Sequence, residues 1–138
     1  MSPVSNLHTF GWDKEASLRP RLEEYFGELA KTAERYAPYD YLNKEYQVEL
    51  KSRRKYDARG KILLPETYDT WLLPCSKKPS ATDKRTTVFV YYFEGDDSLW
   101  YLVYDTEMFE TFATERPFWH PTKQEHWMTP SSVWTKFE

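Results

Sequence analysis

Two apolar runs separated by four residues constrain the fold of this chain most. "TTVFVYYF" (86–93) and "SLWYLVYD" (98–105) flank "EGDD", and runs rich in β-branched and aromatic residues on either side of a turn signal specify a β-hairpin. The aromatic run of this hairpin reads as sheet core.

A 138-residue chain is long enough to form one domain around a real core. The material for that core is aromatic to an unusual degree, with six Trp, eleven Tyr and eight Phe. No stretch approaches the ~18 apolar residues of a membrane span. The start, "MSPVSNLHTFGWDKEASL", has neither the basic opening nor the apolar block of a signal peptide. A single cysteine, Cys75, excludes an internal disulfide and a cysteine-based zinc site. The expectation is a soluble, intracellular, non-secreted protein.

Charge is unevenly distributed. The chain carries a formal −3 overall, yet from Lys51 to Arg85 ten Lys or Arg face four acids, a local net of +6. The remaining nine basic and eighteen acidic residues give −9. Such an asymmetry can orient an anionic ligand even when the total is slightly negative.

Along the chain, residues 1–14 read as an arm without periodicity. Leu18, Leu22, Phe26, Leu29, Ala33 and Tyr36 recur at helical spacing, which predicts a helix from about Ser17 to Tyr36. Pro20 falls in its first turn and Pro38 stops it. A hairpin follows, Tyr39–Leu42 and Glu45–Ser52, turning at Asn43-Lys44. The basic segment from Arg53 to Lys61 reads as a loop. "TYDTWLLP" (67–74) reads as a short buried strand, 76–86 as a loop or a loop with a short helix, and "DTEMFETFA" (105–113) as a short capped helix. The tail 114–138, rich in Trp, Pro and Thr, has no clear assignment. A helix, strands, a further strand pair and a helix imply an α/β (α+β) domain with one central mixed β-sheet flanked by helices.

The chemistry lies in the first hairpin. Alternation along 45–52 puts Tyr46, Val48 and Leu50 on one face and Gln47, Glu49 and Lys51 on the other. A turn at Asn43-Lys44 sets Tyr41 opposite Tyr46 and Asp40 opposite Gln47, with Asp40 diagonal to Glu49 at ~7 Å. Tyr39 and Tyr41 then join the apolar face. Two carboxylates and a lysine come together on the polar one. Two such carboxylates suit Mg²⁺, a hard ion that takes oxygen ligands and keeps several waters. A neighbouring ammonium can orient a water or offset charge on a phosphate.

Asp40 followed by Glu49-Leu50-Lys51 resembles the D…(D/E)-x-K signature of the PD-(D/E)XK nuclease superfamily, with Pro38-Tyr39-Asp40 in place of an adjacent Pro-Asp. The resemblance covers about residues 17–110 and is nearest in kind to small phage or viral members and Holliday-junction resolvases. It implies a restriction-endonuclease-like fold and a Mg²⁺- or Mn²⁺-dependent endonuclease acting on DNA, with selectivity for junction or branched structures among the expectations. By that resemblance Asp40, Glu49 and the Leu50 carbonyl bind the metal, and Lys51 serves the attacking water. An acid on the first helix would complete the site. Glu23, Glu24, Glu28 and Glu34 are the candidates, of which Glu23 and Glu34 lie on one flank of the apolar stripe. Arg53, Arg54, Lys55, Arg59 and Lys61, with Lys77 and Lys78 further on, are candidates for phosphate contacts, which give affinity without sequence information. Tyr56 is a candidate for stacking on bases, whereas Trp71 suits buried packing. A homodimer would fit a branched substrate, and Phe118, Trp119, Trp127 and Trp134 are candidate interface aromatics.

Other groupings carry less. His120 and His126 fit neither a helical i,i+4 pair nor a zinc pattern, and Cys75 has no histidine–acid context. The competing expectation is a nuclease-derived fold without catalysis, used for nucleic-acid binding or viral or complex assembly. An RNA-binding module has no motif of its own here.

Overall fold

The computed structural model describes residues 16–32, 39–117 and 124–138. The N-terminal arm (1–14), Ala33, Glu34, Tyr36, Pro38, Phe118, Trp119 and His120 lie outside them. Strands dominate, and the architecture is mixed α+β. Helix α1 (residues 16–26) is followed by β1 (Ala30–Lys31), β2 (Tyr41–Leu42), β3 (Tyr46–Arg53), β4 (Thr70–Pro74), β5 (Thr86–Phe93) and β6 (Ser98–Val103). Helix α2 (Thr106–Glu110) then leads to β7 (Thr114–Glu115), β8 (His126–Pro130) and β9 (Thr135–Lys136). A six-stranded sheet has the order β1-β2-β3-β5-β6-β9, and a second sheet has the order β4-β8-β7.

The expected hairpin is the spine of the molecule. Strands β5 and β6 pair antiparallel from Val88↔Val103 to Phe93↔Ser98, and seven of the eight β5 residues are buried. Alternation along β5 feeds two separate cores. Val88, Val90 and Tyr92 join Val48, Leu50, Tyr41 and the α1 residues Leu18 and Leu22. Phe89, Tyr91 and Phe93 join Trp71, Leu73, Phe109, Trp127 and Trp134. Helix α1 thus covers one face of the large sheet, and the small sheet with α2 covers the other. The continuous apolar run follows from this double coverage.

Strands β3 and β5 run parallel, from Tyr46↔Thr86 to Arg53↔Phe93. Parallel neighbours need a long crossover, usually helical. Here residues 54–85 make the crossing with β4 and two 3₁₀ turns, Pro65–Thr67 and Cys75–Lys77. The expected strand in 67–74 is β4, and the second 3₁₀ turn opens the segment expected to be a loop.

Several expectations need correction. The helix ends at residue 26, not Tyr36. Gly27 adopts φ +79° and its N–H donates to the Glu23 carbonyl at 3.0 Å, a left-handed helix stop that glycine adopts without steric cost. Leu29 belongs to the same core as Leu22 and so continues the apolar spacing, but its backbone is no longer helical.

The hairpin register differs by two residues. Tyr41 pairs with Val48 and Leu42 with Gln47, because the turn is longer than Asn43-Lys44. Asn43 N–H donates to the Tyr46 carbonyl at 2.9 Å, and Asn43 Oδ1 accepts from the N–H groups of Glu45 (2.8 Å) and Tyr46 (2.7 Å). A shift of two preserves which side chains share a face, where a shift of one would exchange them.

Beyond the end of β3 at Arg53, the segment to Lys61 is the expected loop, and it folds back against Leu63 as a narrow arm. Tyr56 bridges Ile62, Leu63 N–H donates to the Lys55 carbonyl at 2.9 Å, and Asp57 N–H donates to the Lys61 carbonyl at 2.8 Å. The Asp57 carboxylate caps its tip by accepting from Arg59 and Lys61 N–H at 2.8 and 2.9 Å. The tail is also structured: β8 is the middle strand of the small sheet and β9 pairs with β6. Trp127 and Trp134 are buried, which removes them as exposed interface residues.

Candidate metal and phosphate site

Along β3, Gln47, Glu49, Lys51 and Arg53 share the face that looks toward the small sheet. The register pairs them with Thr87, Phe89, Tyr91 and Phe93 of β5. Gln47 is buried and satisfied, with Nε2 donating to Thr87 Oγ1 at 2.7 Å. Glu49 follows in the same wall and is only 4% exposed.

Asp40 lies just beyond the last β2–β3 pair, and the same register extended by one residue sets it opposite Glu49 rather than diagonal to it. Its N–H donates to the Val48 carbonyl at 3.0 Å. Its carboxylate Oδ2 accepts from Leu50 N–H at 2.8 Å, so the side chain occupies a backbone donor that no strand reaches. This contact fixes Asp40 beside the Glu49-Leu50-Lys51 triplet.

Glu49 is the strained member. Its Oε2 stands 2.9 Å from Lys77 Nζ, yet this buried oxygen has no well-aligned hydrogen bond. Burial, and then the negative charge of Asp40, push its carboxyl up to about 7, against the opposing pull of Lys51 and Lys77. A buried carboxylate beside a second one is the environment that moves an acid toward neutrality, and the two ammonium groups near it offset that only in part.

Lys77 enters the site from the second 3₁₀ turn. Its side chain is 24% exposed, and Tyr39 Oη donates to its carbonyl at 2.8 Å. Tyr39 leaves the apolar face expected for it, because strand pairing ends at Tyr41 and the chain bends before Asp40. Burial, with the Glu49 and Asp83 charges, pushes the Tyr39 hydroxyl up to about 12, so it remains a donor. Tyr39 was not legible as a site residue, and Lys77 was expected to contact phosphate rather than Glu49. Lys77 reaches Glu49 only through the β3–β5 crossover, and no local spacing carries that information.

Among the helix acids, Glu23 is engaged elsewhere. Its carboxylate accepts from Leu29 N–H at 2.8 Å and sits 3.9 Å from Arg19, stitching the end of α1. Glu24 and Glu28 are exposed, and Glu34 lies outside the described residues. No group of three His, Cys, Asp or Glu among the described residues converges in a way that could hold a metal ion. His126 is buried, with Nδ1 2.8 Å from the Gln124 carbonyl.

The basic arm continues directly from β3. Arg53, Arg54, Lys55, Arg59 and Lys61 are all exposed, as is Tyr56, with Lys55 Nζ 5.6 Å from its ring centroid. Lys77, by contrast, is turned toward Glu49 rather than standing as an open loop cation. Comparison with protein-family models, with curated proteins and with solved structures finds no match to this chain.

Proposed function

We propose that this chain is a metal-dependent endonuclease that hydrolyses DNA phosphodiester bonds, built on a restriction-endonuclease-like core of the PD-(D/E)XK type. The observation that carries the reading is the buried Glu49 carboxylate held beside Asp40, with Lys51 and Lys77 close to it. A buried acid shifted toward neutrality by burial and a second acid, among lysines, is the environment functional sites favour.

The donor set fits Mg²⁺ or Mn²⁺. Asp40, Glu49 and the Leu50 carbonyl would hold the ion, and one or two carboxylates with waters and substrate phosphate are a usual Mg²⁺ environment. When bound, such an ion lowers the pKa of water and polarises a phosphoryl oxygen. Leu50 N–H keeps Asp40 aimed at the site. Lys51, on the same face as Glu49, donates to the attacking water and offsets negative charge building on the phosphate. Lys77 neutralises Glu49 while the acids stand without metal, and Tyr39 holds its backbone in reach. The arm 53–63 supplies phosphate contacts beside the cut. Branched DNA, a homodimer and a viral or phage origin belong to the same reading.

The Lys77–Glu49 contact also favours a second reading, in which the fold binds nucleic acid or a partner without catalysis. A lysine that already satisfies Glu49's charge leaves less need for a metal. A thermal shift with Mn²⁺ separates the two. Asp40→Asn keeps an acceptor for Leu50 N–H and removes the charge. Metal stabilisation of the wild type that disappears in this variant supports the enzyme; no stabilisation in either supports the binding protein.

A further inference from the structure

Beyond Lys51, the same face of β3 opens into a cleft of about 290 Å³ lined by Arg53, Tyr68, Thr70, Trp71, Tyr91 and Phe93. Its lining is aromatic. The Tyr91 and Phe93 rings lie 5.9 Å apart at 25°, and Trp71 stands 5.5 Å from the first and 5.0 Å from the second. Tyr68 forms the mouth and is 47% exposed. The Arg53 guanidinium lies 5.5 Å from the Tyr91 ring centroid, and the exposed arm residues Arg54 and Lys55 follow at once in the chain.

Small-ligand pockets begin at about 300 Å³, so this cleft suits one planar ring system and not an extended ligand. Trp71, Tyr91 and Phe93 are almost fully buried and form only its floor, so the exposed Tyr68 ring and the Arg53 guanidinium are the groups that present a π-face and positive charge together, as a nucleobase attached to a phosphate backbone requires. Arg53 is four residues along β3 from Glu49, about 13 Å at strand rise. That distance spans no more than about four stacked nucleotides of one strand. A recessed cleft can receive a base only after it leaves the duplex stack.

We infer that the Tyr68–Arg53–Tyr91 cleft binds an unpaired DNA base close to the scissile phosphate, which makes the substrate class DNA with a single-stranded or extruded nucleotide beside the cut. The inference rests on the nucleic-acid reading above and narrows it. Phosphate contacts from the arm retain the strand regardless of sequence, while the cleft selects for the presence of a free base.

The test measures binding by fluorescence anisotropy in EDTA, so cleavage is not required. Three labelled 12-mers serve as probes: a single strand, the same strand made of abasic sites, and the duplex. Wild type binds the normal single strand more tightly than the abasic one. Tyr68→Ala loses about tenfold on the normal single strand, with little change on the abasic strand or the duplex. Tyr68→Phe, which keeps the ring, retains wild-type binding. Equal affinities of wild type and Tyr68→Ala for all three probes, or an equal loss on all three, would overturn the inference. A parallel Mg²⁺ cleavage assay tells the two readings apart. Selective loss in Tyr68→Ala without cleavage by the wild type leaves the base cleft standing and removes the nuclease. Cleavage with an inert Tyr68 does the reverse, and a wild type that binds none of the probes removes both.

Discussion

At the scale of the residue, Glu49 decides most. Its carboxyl titrates near 7 in the folded chain, against an ordinary value of 4.5. An acid raised in this way binds its proton more tightly when folded. Below about pH 4.5 both states are protonated and the group contributes nothing to pH dependence. Between about 4.5 and 7 the unfolded state releases the proton first, so stability falls as pH rises, and above 7 the full cost remains. That cost is on the order of 3 kcal/mol. Glu49→Gln should therefore flatten the decline in urea-unfolding free energy between pH 5 and 8, measured in EDTA. A decline as steep as in the wild type would assign the pH dependence to other groups. Lys77→Met, which leaves Glu49 without its 2.9 Å partner, should steepen the decline, because removing one partner of a buried pair costs about 3–5 kcal/mol when the other stays charged. The acids and Lys51 were legible because strand alternation places them. Lys77 was legible as a candidate phosphate contact but not as the partner of Glu49, since that contact spans the crossover between β3 and the turn at Cys75–Lys77.

At the scale of the element, the arm 53–63 depends on how its base is held. Gly95, in the β5–β6 turn, has its Cβ position 2.6 Å from the Leu63 carbonyl and 3.0 Å from Leu64. Gly95→Ala should thus push the arm's returning strand aside, with a loss of about 1–3 kcal/mol typical of overpacking. Amide exchange at Leu63, whose N–H donates to the Lys55 carbonyl, should accelerate; unchanged protection there would mean the arm is braced elsewhere. This segment reads as a loop, and its folding back as an arm was hidden for a physical reason. Its pairing comes from one Tyr56–Ile62 bridge and the Asp57 cap, which leave almost no hydrophobic pattern. The end of α1 was hidden in a similar way. Leu29 keeps helical spacing because it fills the same core as Leu22, and only Gly27 marks the break. The β5–β6 hairpin was clear because seven of the eight β5 residues are buried, on both faces of the sheet.

At the scale of the whole molecule, the C-terminal segment completes the fold that positions the site. Strand β4 pairs along its full length with β8, from Thr70↔Pro130 to Pro74↔His126, and Cys75 N–H continues the contact to the Glu125 carbonyl at 2.9 Å. The turn that carries Lys77 begins at that point. Trp134 Nε1 donates to Thr129 Oγ1 at 2.9 Å, and its ring stands 5.1 Å from both Trp71 and Tyr91. Trp134→Ala should destabilise the chain by about 3–5 kcal/mol, read as a lowered urea midpoint with an unchanged slope. A surface-like effect below ~0.5 kcal/mol would contradict the packing. The tail resisted assignment because prolines divide it into short strands whose partners lie up to sixty residues away, and such pairings leave little local signature.

In the proposed function, Asp40, Glu49 and Lys51 form a phosphodiester-cleaving site. The most direct measurement is cleavage of labelled single-stranded, duplex and four-way-junction DNA with Mg²⁺, Mn²⁺ or EDTA, comparing wild type with Lys51→Ala. Cutting that requires metal and drops at least a hundredfold in Lys51→Ala is the result expected. Intact DNA in every condition, with wild-type binding retained by Lys51→Ala, would contradict it and leave the carboxylates and lysines as an ion-pair cluster in a binding protein.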